Sequence, residues 1–271
     1  MASEADHLEV RTGQGTQTWL MKFGSVNPLN PAMLAALDAQ LSKALADETV
    51  SAVVLTSGLK IFSAGGDATW MGQLLTEGGT PALIEAFNRA MDTFRELCIR
   101  IRRSPLLVIA ALNGHTLAGG LELAAACDLR FAADAEKLQI GVPEMDLFGA
   151  MPSGGGGAQF IARLMGPSRA LQFILDAKPV SPQAAYRLGL VDRLCPAESL
   201  LAEAEGFAAA VAKKAGRIGV HAAKRAILGG PELPLMEALE LDRSVHWDAM
   251  RRGNFLPGAE SFVRRFGSKN G

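Results

Sequence analysis

Two short segments constrain this chain more than anything else in it. Ser51-Ala-Val-Val-Leu-Thr56 and Leu106-Leu-Val-Ile-Ala-Ala111 are apolar almost throughout and rich in β-branched residues. A strand with one wet face alternates apolar and polar side chains, so an unbroken apolar run reads as a strand buried on both faces. Each run is followed by a glycine-containing turn, Ser57-Gly58 or Asn113-Gly114, and then by helical sequence. The crossovers are long enough for parallel pairing. The expected fold class is therefore α/β.

Further elements fill in around these two. Thr18-Trp-Leu-Met-Lys-Phe23 is a short strand candidate. Asn30 and Pro31 form an N-cap and first-turn pair for a helix from Pro31 to Ala46, with Leu34, Leu37, Leu41 and Leu45 on one face. A second long helix is expected from Pro81 to Arg102, a third from Leu121 to Cys127, and short strands at 129–133 and 137–140. From Pro167 the pattern is almost wholly helical, with helices opening at Ser181-Pro182 and running over 199–214, 222–228 and 235–251.

Composition removes several function classes. There are 27 Lys and Arg against 28 Asp and Glu, a net charge of −1. That balance, with no lysine-rich helix, argues against a protein that tracks nucleic acid by bulk charge. No apolar run reaches the ~18 residues of a membrane span. The three cysteines, Cys98, Cys127 and Cys195, form no CxxC pair and no zinc pattern, and the four histidines form no cluster, so no metal site is expected. The first residues have no secretory or transit pattern, and a cytoplasmic location is expected.

Three glycine-rich stretches remain: Phe62-Ser-Ala-Gly-Gly-Asp67, Asn113-Gly-His-Thr-Leu-Ala-Gly-Gly-Leu-Glu122, and Pro152-Ser-Gly-Gly-Gly-Gly157. None is a P-loop or a dinucleotide fingerprint. Glycines after a strand let the backbone approach a ligand, and a helix start leaves amides unpaired. One amide from each of two loops would make an oxyanion hole, helped by the dipole of the helix opening near Gly119. Glu122 follows Gly119 by about one helical turn and can face the same pocket. Glu144 follows Pro143, where an extended chain is expected, and the sequence leaves open whether it reaches Glu122. If it does, the pair can hold one water and move protons to or from it.

The order of these motifs, with Ile140-Gly-Val-Pro-Glu144 after the second, resembles the crotonase family of enoyl-CoA hydratases and isomerases over about residues 15–230. The resemblance implies a spiral of ββα units over 1–200 and a C-terminal helical region over 201–271 that builds homotrimers, often paired into hexamers. It implies an acyl-CoA thioester substrate in fatty acid metabolism, and no cofactor beyond coenzyme A carried by the substrate. It puts the oxyanion amides at Gly66 and Gly119 and the acid–base pair at Glu122 and Glu144. Ala64, Gly65, Asp67 and Gly120 would border the thioester. The implied reaction is hydration of a 2-enoyl-CoA.

Departures keep alternatives in view. The stretch from Asp128 to Glu144 is two residues longer than in common hydratases and resembles some Δ3,Δ2-enoyl-CoA isomerases, which shuttle a proton with a single glutamate matching Glu144. A thioester hydrolase of the same family is a further alternative, and a non-catalytic RNA-binding or scaffold member is the non-enzyme one. Asp146 would raise the pKa of Glu144 if it lies close. His115 reads as structural. Trp70 and Met71 could flank the acyl chain or pack under the helix, and Arg264, Arg265 and Lys269 are candidate phosphate contacts.

Overall fold

The computed structural model describes residues 7–149, 151–253 and 255–267. Among the described residues, nine strands form two sheets. The six-stranded sheet comprises β1 (Leu8–Gly13), β2 (Thr16–Met21), β3 (Ala52–Ser57), β5 (Leu107–Leu112), β7 (Leu129–Ala133) and β9 (Arg193–Cys195), adjacent in that order. Only β1 and β2 pair antiparallel, and every other pair is parallel. The three-stranded sheet holds β4 (Ile61–Ser63), β6 (His115–Leu117) and β8 (Ile140–Gly141), all parallel.

The two apolar runs are buried on both faces, as their composition requires. Val53 and Leu55 of β3, with Val108, Ala110 and Leu112 of β5, enter the main core. Ala52, Val54, Ile109 and Ala111 enter a second core on the opposite face. The main core is closed by α1 (Pro31–Ala46), which presents Met33, Leu34, Leu37 and Leu41, and by Phe94, Leu97 and Ile101 of α2 (Ala68–Arg103). Asn30 caps α1 by accepting from the Met33 amide at 3.0 Å, as Asn-Pro predicts. The second core is closed by Leu200, Ala204 and Ala208 of α8 (Leu200–Gly229). The first half of the C-terminal helical region thus lies on the sheet.

Several boundaries differ from the sequence reading. The second long helix begins at Ala68, because the chain stays helical on both sides of a kink at Gly79, φ 66° and ψ −165°, just before Pro81. The expected helices 199–214 and 222–228 are likewise one element kinked at Gly216, φ 58°. The strand expected at 137–140 shrinks to Ile140–Gly141. Strand β1 has no counterpart in the sequence reading: its residues after Leu8 are partly or fully exposed, and only pairing with β2 makes it a strand. Between β8 and α8 lie α4 (Glu144–Phe148), α5 (Gly157–Met165), α6 (Pro167–Asp176) and α7 (Pro182–Leu188). The chain ends in α9 (Leu235–Arg252) and α10 (Phe255–Phe266). Cys98, Cys127 and Cys195 are buried free thiols.

Candidate active site

The small sheet positions the site. Strand β6 lies between β4 and β8, so the chain segments leaving all three emerge side by side: Ala64–Asp67, Ala118–Glu122 and Val142–Glu144. The close approach has identifiable causes. Asn113 donates to the carbonyls of Ser57 and Leu59 at 3.0 and 2.9 Å, tying the turn after β5 to the segment before β4. A Cβ at Gly114 would lie 2.3 Å from the Lys60 carbonyl oxygen, so only glycine fits there.

The two loops that carry the amides touch. Gly65, at φ +90°, has no room for a side chain: a Cβ would lie 2.6 Å from the Ala118 Cβ and 2.9 Å from the Gly119 nitrogen. Ala118 itself holds φ 52° and ψ −130°, a strained conformation for a residue with a side chain. Its amide donates to the Gly141 carbonyl at 2.8 Å, which locks the bend. The bend turns the chain into α3 (Gly119–Ala126), with the Gly119 amide in the first turn. Among the described residues, neither the Gly66 nor the Gly119 amide donates to a protein acceptor. Gly66 is exposed and Gly119 partly so.

The neighbouring glycines and Asp67 are occupied by the protein itself. Gly120 packs on Ser63, where a Cβ would lie 2.7 Å from the carbonyl oxygen. Gly65 donates to the Ser63 hydroxyl and accepts from the Leu29 amide at 2.7 Å. The Ala64 amide donates to the Val26 carbonyl at 3.0 Å. Asp67 caps α2, accepting from the amides of Thr69 and Trp70 and from Asn30 Nδ2 at 2.8 Å. Trp70 and Met71 in the first turn of α2 are half-buried.

Glu122 lies one turn into α3 and is 2 % exposed. Its carboxylate is held by the third glycine stretch. Oε1 accepts from the Gly154 amide at 3.1 Å, and Oε2 accepts from Gly155 and Gly157 at 2.8 and 2.7 Å. A Cβ at Gly157 would lie 2.4 Å from Glu122 Cγ, so glycine is what lets the backbone close on the acid. Successive amides facing one way form an anion-binding concavity. The glycine run is visible in the sequence but its partner is not; a buried acid in an apolar helix needs donors, and that need is the available signal. Burial pushes the Glu122 carboxyl up, while the three amides and the Arg95 charge pull it back.

Glu144 is 3 % exposed, and its Oε2 has no hydrogen-bond partner among the described residues. The chain is not extended there: Glu144 opens α4, with Pro143 as its cap residue. Burial pushes its carboxyl up to about 7, and the Glu122 charge adds to the rise against a backbone hydrogen bond at Glu144 itself. The two acids therefore sense each other. Asp146 does not play the role the sequence suggested: it is exposed, and Glu122 is the like charge acting on Glu144.

The other candidates lie elsewhere. His115 Nδ1 accepts from the Gln139 amide at 3.1 Å and so braces β6 against the segment before β8. Arg264 and Arg265 sit on the exposed α10, and Lys269 lies outside the described residues. Among the described residues no group of acids, histidines or cysteines could hold a metal ion, and no helix is long and apolar enough to cross a membrane.

Chemically, the arrangement offers two unpaired main-chain donors on loops that touch, a hydrogen-bonded carboxylate one helical turn from one of them, and a second acid with an unused oxygen and a pKa suited to proton transfer. A family model described as enoyl-CoA hydratase/isomerase matches residues 19–268. The chain is 31% identical over 259 residues to a mitochondrial enoyl-CoA hydratase of Pongo abelii, covering 94% of this chain and 84% of that protein. It is 33% identical over 219 residues to the 2,3-dehydroadipyl-CoA hydratase of Escherichia coli, covering 81% and 80%. The crystal structure of an enoyl-CoA hydratase from Bacillus anthracis superposes with a TM-score of 0.86 at 28% identity, over 96% of each chain.

Proposed function

This chain belongs to the enoyl-CoA hydratase/isomerase family, and from that premise we propose that it hydrates a 2-enoyl-CoA. In this reading the thioester oxygen accepts from the amides of Gly66 and Gly119. They hold the negative charge that develops as water adds to C3, and most of the rate enhancement comes from them. A carboxylate offers about four lone-pair sites. Three of those on Glu122 are taken by Gly154, Gly155 and Gly157, which leaves Oε1 able to accept from one water. Glu122 thus orients and helps deprotonate the nucleophile. Glu144, protonated near neutrality, delivers a proton to C2, and the water's own proton returns the pair to its starting state. Bonds balance: C3–O and C2–H form, and the C2=C3 π bond and one O–H bond of water break.

The single observation carrying this reading is the buried, unpartnered Glu144 oxygen, raised to about 7 beside a second acid. The same reading takes Ala64, Gly65, Asp67 and Gly120 as the frame around the thioester, needs no cofactor beyond the substrate's coenzyme A, and places a homotrimer or hexamer in the cytoplasm. One observation favours a second reading: Glu122 is so fully held by amides that Glu144 alone could shuttle a proton between C2 and C4, as a Δ3,Δ2-enoyl-CoA isomerase does.

Replacing Glu122 separates the two poorly, because a Gln would turn a donor NH2 toward amides that also donate. Turnover in 18O-labelled water separates them cleanly. A hydratase given a 2-enoyl-CoA forms 3-hydroxyacyl-CoA carrying the label at C3. Unlabelled 2-enoyl-CoA formed from a 3-enoyl-CoA, with no hydroxy product, would replace hydration by isomerisation.

A further inference from the structure

A cavity of about 520 Å3 lies between the last turns of α2, one side of α5, the second half of α8, and α9. Lys224, in its wall, bonds to Asp128, just past the C-terminal end of α3. The Gly119 amide opens that helix, which is about 12 Å long, and none of the cavity's lining residues belongs to the glycine loops.

Its charge is unbalanced. Arg102, Arg103, Arg163, Lys224 and Arg225 line it against one acid, Glu232. Glu232 pairs with Arg163 at 3.3 Å, and Arg225 reaches Asp248 at 3.6 Å. Lys224 is fully engaged by Asp128 at 2.8 Å and by the carbonyls of Leu106 and Ile101 at 2.8 and 3.2 Å. Arg102 and Arg103 form no ion pair and no hydrogen bond among the described residues. Arg102 is half-buried, with its guanidinium 5.7 Å from the Phe160 ring centre. Burial and the nearby Arg163 work against its charge, while Asp128 and Glu232 favour it. The dipole at the end of α2 offsets part of this. A guanidinium stays protonated regardless and is best satisfied by the planar oxygens of a carboxylate or phosphate.

Ile99, Phe160, Leu228 and Leu241 supply the apolar part of the lining, and Gln159, His221 and Gly229 complete it. The volume lies in the range of small-molecule sites. We propose that this cavity is a second ligand site, which takes an organic anion with one carboxylate or phosphate head on Arg102 and Arg163 and an aliphatic body against Ile99, Phe160, Leu228 and Leu241. Carboxylate and phosphate heads share the chemistry that the two guanidinium groups recognise.

Calorimetric titration of the whole protein with decanoate, decyl phosphate and decanol, at fixed ionic strength, tests this. At least one of the two anions binds once per chain, and decanol binds at least about tenfold more weakly. Which anion binds more tightly identifies the head the site prefers. Arg102→Gln weakens the anions by about tenfold or more while the melting temperature without ligand stays put. Arg163→Gln supplies the same comparison should Arg102→Gln fold poorly. Equal binding by wild type and variant would put the anions at the glycine site and overturn the proposal. So would failure of both anions to bind, equal binding of decanol, or a change of oligomeric state as the only effect of the variants, which would make the cavity a contact between copies of the chain.

Discussion

Glu144 should make the protein less stable as pH rises through the slightly acidic range, and Glu144→Gln should remove that dependence. The carboxyl sits near its ordinary 4.5 in the unfolded chain and at about 7 in the fold. Below pH 4.5 both states hold the proton and the group contributes nothing. Between 4.5 and about 7 the unfolded chain releases it while the fold retains it, so the unfolded state binds fewer protons and stability falls as pH rises. Above about 7 the cost is complete. A shift of this size corresponds to about 3 kcal/mol at 1.36 kcal/mol for each pH unit. Glutamine is neutral throughout, so any packing or hydrogen-bonding penalty it brings is the same at every pH. Urea unfolding followed by fluorescence of Trp19, Trp70 and Trp247, at one protomer concentration, measures the difference. The gap between variant and wild type should move by about 3 kcal/mol in the variant's favour between pH 4.5 and 8. Curves parallel across that range would mean that Glu144 titrates normally and that its burial has no electrostatic consequence.

The same titration sets a rate profile: kcat/KM for hydration should fall with unit slope in log units above about pH 7, as Glu144 loses the proton it must donate, and a flat profile from 6 to 9 would remove it as the acid. Gly66→Ala should leave turnover within a few-fold, because a Cβ there meets nothing within 4 Å and the amide survives, whereas Gly66→Pro deletes the donor and should cost about 100- to 1000-fold in kcat. Gly157→Ala drives a Cβ to 2.4 Å from Glu122 Cγ, so steady-state assays should show a loss of about 100-fold in kcat from a displaced acid, with thermal melting reporting whether the fold persists.

The sheet was legible in the sequence because the physics that buries it is local. Val53 and Leu55 point to one core and Ala52 and Val54 to the other, and a run apolar at all four positions can do little else. The capped start of α1 at Asn30-Pro31 was legible for the same reason. Strand β1 was not, since Leu8–Gly13 carries no burial pattern of its own and depends on Thr16–Met21 across a tight turn. The helix breaks at Gly79 and Gly216 were visible as glycines, but the continuation of helix beyond them is set by packing. At the site, the two touching loops after β4 and β6 were legible as glycines placed after strands. The donors to Glu122 lie 32 to 35 residues away in the chain, beyond any spacing rule. The influence of Glu122 on Glu144 likewise follows from β6 pairing with β8, which sets Leu117 opposite Gly141. Pro143 suggested extended backbone, but the chain turns into α4 at once and buries the acid.

The central claim is that Gly66 and Gly119 grip one acyl oxygen beside Glu144. A crystal structure with a bound, unreactive acyl-CoA tests it most directly. The thioester oxygen should lie within about 3.1 Å of both amide nitrogens, with the Glu144 carboxyl over C2. A thioester bound with its oxygen turned away from either amide, or seated outside the Gly66–Gly119 cleft, would contradict the account.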